Sequence, residues 1–83
     1  MPSAELEQAA EAVTNLPKDP GQDTKLRLYA LYKQATTGDV RGERPGFMDF
    51  AGRMKYDAWA KQKGKSQDEA ETEYIALVNE LTG

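Results

Sequence analysis

The sequence predicts an all-α protein folded as a four-helix bundle. Three observations lead there. Apolar residues recur at three- and four-residue intervals in four separate stretches, the period of a helix with one buried face. Proline, glycine and serine punctuate the chain between those stretches, where helices stop and start. No run of β-branched residues alternates with period two, so strands are not expected.

The first helix opens after Ser3, a hydroxyl suited to an N-cap, with Glu5 in the first turn. Leu6, Ala9, Ala10, Val13 and Leu16 form its apolar stripe, and Pro17 and then Pro20-Gly21 end it. The second helix is expected over about residues 23–37, with Gly38 as its stop. A connection of some ten residues follows, carrying Gly38-Asp39, Gly42 and Pro45-Gly46. Such a length lets helices two and three be something other than a simple antiparallel pair. The third helix is expected from near Asp49 to about Lys63, ended by Gly64. Ser66-Gln67-Asp68-Glu69 then matches a capping box for a fourth helix, whose stripe is Ala70, Tyr74, Leu77, Val78 and Leu81.

Eighty-three residues imply one domain, 1–83, with a thin stability margin, since a chain this short buries only roughly 60–65% of its unfolded surface. The chain has no cysteine, hence no disulfide or thiolate metal site. It also has no histidine, the usual general base and metal ligand near neutral pH. Its two serines, Ser3 and Ser66, fall at helix starts. The expectation is therefore a binding protein, not an enzyme, with no metal centre and no catalytic residues. No apolar run approaches the roughly 18 residues of a membrane span, and the first residues lack the features of a secretion signal. A cytoplasmic protein is expected.

The formal charge of −3 conceals segregation. Residues 1–24 carry five acids and one lysine; residues 25–65 carry ten bases and four acids; residues 66–83 carry five acids and no base. A basic centre within an acidic chain points either to a local anion site or to basic and acidic helices that pair in the fold.

On a helical projection of the second helix, Leu28, Leu31, Tyr32 and Ala35 share the core arc, while Arg27, Ala30 and Gln34 should face solvent. Between them runs a strip of Leu26, Tyr29 and Lys33, the last two stacked at i,i+4, with Lys25 beside Tyr32. Phenol, ammonium and alkyl groups in one strip suit a ligand with a phosphate, a flat ring and an apolar part. They suit equally tyrosines at a core edge with a lysine snorkelling over them. On the third helix Gly52, Lys55, Tyr56 and Trp59 share an arc expected to point inward, with Lys55 interrupting its aromatics. A lysine there needs an anionic partner or an exit to the edge.

The run from Leu28 through Tyr29, Tyr32-Lys33-Gln34-Ala35-Thr36 and Gly38-Asp39 resembles the signature of the acyl-CoA-binding protein family. The resemblance continues through Glu43-Arg44-Pro45-Gly46-Phe47-Met48-Asp49-Phe50, Gly52, Lys55, Asp57-Ala58-Trp59, Gly64, Ser66, Ala70 and Tyr74-Ile75, covering almost the whole chain in order. It implies an up-down-down-up four-helix bundle that binds medium- to long-chain fatty acyl-CoA esters without catalysis and maintains and transports their intracellular pool. Fatty acyl-CoA would be the ligand, with no cofactor. Acyl-CoA-using enzymes and membrane surfaces would be transient partners of a monomer.

Carried over by motif, Tyr32 stacks on adenine, Tyr29, Lys33 and Lys55 hold the ribose 3′-phosphate, and Tyr74 hydrogen-bonds near the nucleotide. Leu26, Met54 and Ala10 line the acyl groove. This sequence departs from the family at Thr14 and Ala51, where lysine is frequent, and at Leu6, Arg53, Met54 and Tyr56. Thr14 and Ala51 remove two charges from the head-group site, and Met54, where alanine is frequent, alters the groove width and hence the chain-length preference. The runner-up is a helical module docking an acidic protein; an enzyme such as a thioesterase would need an activated nucleophile or base in the groove, and none is evident. Nucleic-acid binding is not expected of a chain with fourteen acids and a pI near 4.9.

Overall fold

In the computed structural model, which describes residues 3–83, Ser3 starts the first helix as expected. Its extended backbone turns the side-chain oxygen onto the Leu6 amide at 3.1 Å, satisfying one of the donors a helix start leaves open. This helix, α1, spans Ala4–Thr14. It stops two residues short of the expected Leu16, because Thr14 and Asn15 side chains donate to the Glu11 carbonyl (2.7 and 3.2 Å). The Asn15 and Leu16 amides meanwhile tighten into i→i−3 bonds.

The second helix, α2, spans Gln22–Thr36, starting one residue before the expected position. Gly21 precedes it at φ +97°, a left-handed conformation that glycine adopts without steric cost. Asp19 holds that turn, accepting from the Gly21 amide at 2.8 Å and pairing with Lys25 at 2.8 Å. Both contacts, the lysine first, hold its carboxyl below the ordinary carboxylate range. At the far end, the Gly38 amide returns to the Gln34 carbonyl at 3.1 Å, an αL cap.

The third helix, α3, spans Phe50–Ala60 and is shorter than expected at both ends. Asp49 is its N-cap, accepting from the Gly52 amide at 2.9 Å. A Cβ at residue 52 would collide with that carboxylate, so the glycine makes the cap geometrically possible. Residues 61–64 continue only as turns, with i→i−3 bonds from Gln62 to Trp59 and from Lys63 to Ala60. The fourth helix, α4, spans Gln67–Thr82 and begins with the expected capping box: Glu69 N–H to Ser66 Oγ at 3.0 Å and Ser66 N–H to Glu69 Oε1 at 3.3 Å. Ser66→Ala is expected to cost about 1 kcal/mol, read as a lower urea midpoint with unchanged slope; an unchanged midpoint would mean that packing alone fixes this helix start.

The helices pack in the spatial order α1, α4, α2, α3. Facing residues give their directions. Tyr29 meets Lys55 and Lys33 meets Trp59, so α2 and α3 advance together and run parallel. Tyr32 meets Tyr74 while Gln34 reaches Lys65, so α2 and α4 are antiparallel. Ser3 donates to Glu71 at 3.3 Å, joining the starts of α1 and α4. The result is the expected up-down-down-up bundle; no strand forms among the described residues. Parallel α2 and α3 explain the long connection, which must travel back a helix length.

This order explains where the core lies. The molecule is a slab, 37 × 27 × 15 Å. The inner helices, flanked on two sides, bury five residues (α2) and four (α4); the outer ones bury two (α1) and none (α3). Leu6, Leu28, Leu31, Ala35, Ala70, Tyr74, Leu77 and Val78 make up most of the core.

Two expectations fail for this reason. Ala30 and Gln34, placed toward solvent, are both sealed from it, because α3 and the turn after it cover the second side of α2. Gln34 Nε2 donates to Asp39 Oδ1 (2.8 Å) and to the Lys65 carbonyl (2.7 Å), tying both loops to α2. The reverse amide orientation would set oxygen against two acceptors. Its Oε1 has no partner among the described residues. Asp39 also accepts from the Gly64 amide at 2.9 Å, and that bond, with Gln34 second, lowers its pKa.

The aromatic arc of α3, expected to point inward, is only half-buried. Its polar atoms clamp the long connection instead: Trp59 Nε1 donates to the Gly38 carbonyl (2.8 Å) and the Tyr56 hydroxyl to that of Gly42 (2.9 Å). Arg44 adds a bidentate pair with Asp57 (2.9 and 2.7 Å), and Arg53 Nε donates to the Pro45 carbonyl at 2.9 Å.

Candidate functional site

Parallel α2 and α3 bring two i,i+4 pairs face to face, Tyr29 with Lys33 on one helix and Lys55 with Trp59 on the other. They interlock reciprocally. Lys55 Nζ lies 5.6 Å from the centre of the Tyr29 ring, and Lys33 Nζ lies 5.0 Å from that of Trp59. Each ammonium thus rests on an aromatic ring of the opposite helix, a contact worth about 0.5–1 kcal/mol when exposed.

Neither lysine has a carboxylate partner among the described residues. The ion pairs formed there are Lys25–Asp19, Arg44–Asp57 and Lys65–Glu73. Pairing of basic with acidic segments therefore leaves much of the central charge uncompensated, and two of the unpaired cations are those the sequence placed in the site. The hydroxyls of Tyr29, Tyr32 and Tyr74 likewise show no hydrogen bond among the described residues, whereas Tyr56 and Trp59 spend their donors on the fold. This separates two kinds of aromatic residue that look alike in sequence.

Tyr32 and Tyr74 pack across the α2–α4 contact with ring centres 5.7 Å apart and planes tilted by 59°. Tyr32 is half-buried; Tyr74 is 4% exposed and belongs to the core. Burial, followed by the neighbouring Tyr32, pushes the Tyr74 phenol above its ordinary value, so at neutral pH it is a neutral donor.

Beside this cluster lies an apolar cleft of about 220 Å³ between the start of α2 and α3. Leu26, Ala51 and Met54 line it, with Tyr29, Lys25 and Lys55 at its margin. A larger cleft of about 570 Å³ lies across Leu26 and Met54, bordered by Arg27, Asp57 and Lys61. The smaller cleft is the better candidate because the unpartnered lysine and phenol groups adjoin it.

Leu26 and Met54, expected to line an acyl groove, line both clefts. Ala10 does not line either cleft; it packs against the core from α1. Of the departures, Ala51 opens the wall of the smaller cleft, and Thr14 spends its hydroxyl on the end of α1. Sequence reasoning missed the role of Trp59 as the seat for Lys33. Its signal was the matching i,i+4 spacing on the two helices, which acquires meaning only once they are known to be parallel.

The chain is similar to known proteins in family, sequence and overall structure. The family model described as acyl CoA binding protein matches residues 3–78. The acyl-CoA-binding protein of Saccharomyces cerevisiae is 53% identical over 98% of this chain and 93% of its own length. The acyl-CoA-binding protein homolog of Drosophila melanogaster is 48% identical over 98% of this chain and 94% of its own. Among solved structures, the crystal structure of Oryza sativa acyl-CoA-binding protein 2 superimposes with a TM-score of 0.90 at 45% identity, covering 94% of this chain and 87% of that one. The solution structure of the yeast protein gives 0.75 at 53% identity, covering 95% and 92%.

Proposed function

The chain belongs to the acyl-CoA-binding protein family, and from that membership we propose that it is a non-catalytic carrier of medium- to long-chain fatty acyl-CoA esters. It would hold them as an intracellular, cytoplasmic pool and transport them. The observation that carries this reading is the pair of uncompensated lysines seated on facing aromatic rings, Lys33 over Trp59 and Lys55 over Tyr29, the second pair at the margin of an apolar cleft.

The ligand has three parts, and the residues divide accordingly. Its 3′-phosphate goes to Lys33, Lys55 and the Tyr29 hydroxyl, where two cations and a neutral donor meet without a competing carboxylate. Adenine stacks on the half-exposed ring of Tyr32, backed by Tyr74, whose phenol remains protonated and able to donate near the nucleotide. The acyl chain takes the cleft along Leu26 and Met54. No cofactor or metal takes part. The protein acts as a monomer, meeting acyl-CoA-using enzymes and membrane surfaces only transiently, and does not bind nucleic acid.

Each methylene removed from water contributes about 0.8 kcal/mol, so the chain supplies much of the affinity while the nucleotide contacts supply the identity. Palmitoyl-CoA is therefore expected to bind at least a hundredfold more tightly than palmitate in calorimetric titration. Equal affinity for the two would defeat the assignment of Tyr29, Tyr32, Lys33 and Lys55 as a nucleotide site.

A further inference from the structure

The two clefts share only Leu26 and Met54, which stand between them as a partition. The first, about 220 Å³, is nearly devoid of polar lining; the second, about 570 Å³, has Leu26, Met54 and Ala58 on its apolar side. Its charged groups are otherwise engaged or exposed: Asp57 is paired with Arg44, and Asp23, Arg27 and Lys61 face solvent. It can therefore shelter methylenes without leaving a buried charge unpaired.

The two halves of the partition differ in burial and shape. Leu26 is half-buried on an inner helix, and its side chain is branched. Met54 is 39% exposed on the outer helix, which has no buried residue to disturb. Its side chain is unbranched, with three rotatable bonds. Its polar tether is one weak contact, from Gln22 Nε2 to the thioether sulfur at 3.6 Å. Room exists on both sides: Ala51, one turn before Met54, lines the first cleft, and Ala58, one turn after, lines the second.

We propose that Met54 is a movable partition, and that acyl chains too long for the first cleft displace it and run on into the second. This rests on the acyl-CoA reading above and adds to it the means by which chain length is sensed. The cleft beyond Met54 is an annex for the far end of the chain, and displacing the thioether is what a longer chain must do to enter it.

The test is calorimetric titration with the C8, C12, C16 and C20 acyl-CoA esters of the wild type, Met54→Ala and Ala58→Phe. In the wild type, affinity should rise about fourfold per methylene until the chain reaches Met54, then rise less steeply. Met54→Ala should remove that break, raising the ratio of C16 and C20 affinity to C8 affinity at least fivefold over that of the wild type. Ala58→Phe, which fills the annex and touches nothing of the first cleft, should abolish the gain from C16 to C20 and spare C8. Circular dichroism checks helicity; if the phenylalanine variant does not fold, Ala58→Met fills the same space with a flexible chain.

A Met54→Ala effect equal at every chain length, long-chain affinity untouched by Ala58→Phe, or two esters bound per chain would each overturn the partition. Failure of all four esters to bind the wild type would instead defeat the acyl-CoA reading itself.

Discussion

Lys33→Ala is expected to weaken palmitoyl-CoA binding about ten- to hundredfold, the loss of one charge-assisted contact worth about 1.5–3 kcal/mol. The lysine is half-buried over Trp59 and has no carboxylate partner among the described residues, so its removal strands no acid in the fold. Helicity and the thermal midpoint should therefore change little. The decisive comparison uses the ester lacking the 3′-phosphate. Wild-type protein should bind it more weakly than the natural ester, and Lys33→Ala should lose most of that discrimination. Undiminished discrimination in the variant would mean that the ammonium serves only to cover the tryptophan. Rising salt should narrow the gap between wild type and variant, because the lost contact lies partly in solvent.

Leu31→Ala should act on the opposite quantity. Leu31 is fully buried in the core, and shortening it leaves a cavity there. The expected cost is about 3–5 kcal/mol, a large share of what so small a domain possesses. At about 4–8 °C per kcal/mol, the midpoint should fall by well over ten degrees. Leu26→Ala, on the same helix but bordering the clefts, should lose acyl-CoA affinity with little change in the midpoint. A loss below about 1 kcal/mol for Leu31→Ala would show that the core is not where burial places it.

How much of this was legible beforehand depended on what a single helix can reveal. Ser3, Ser66 and Glu69 acted as caps because capping is decided within four residues, and the stripe residues that lie within α1 and α4 all pack in or against the core. Periodicity failed on α2, where Ala30 and Gln34 serve a second interface that a one-sided projection assigns to water. It failed on α3 in the other direction, since Tyr56 and Trp59 look like core residues and serve as clamps on the loop. The site followed the same rule. Tyr29 and Lys33 were visible as a strip on one helix, but the exchange of cations between α2 and α3 required knowing that the two run parallel. Phe47, Met48 and Phe50, which belong to none of the apolar stripes, are exposed.

The outer position of α3 has a thermodynamic consequence. A helix with no buried residue, held by a tryptophan N–H, a phenol and two arginines, should open locally at a lower free energy than the inner pair. A molecule grasped by Lys33 on α2 and Lys55 on α3 binds only the closed arrangement, so occupancy adds RT ln(1 + [L]/Kd) to the closed state and nothing to the open one. Protection of the α3 amides from solvent exchange would then report ligand concentration, while the amides of α1, on the far side of α4, would report only global stability. In this sense the ligand completes the side of the core that the chain itself leaves thin.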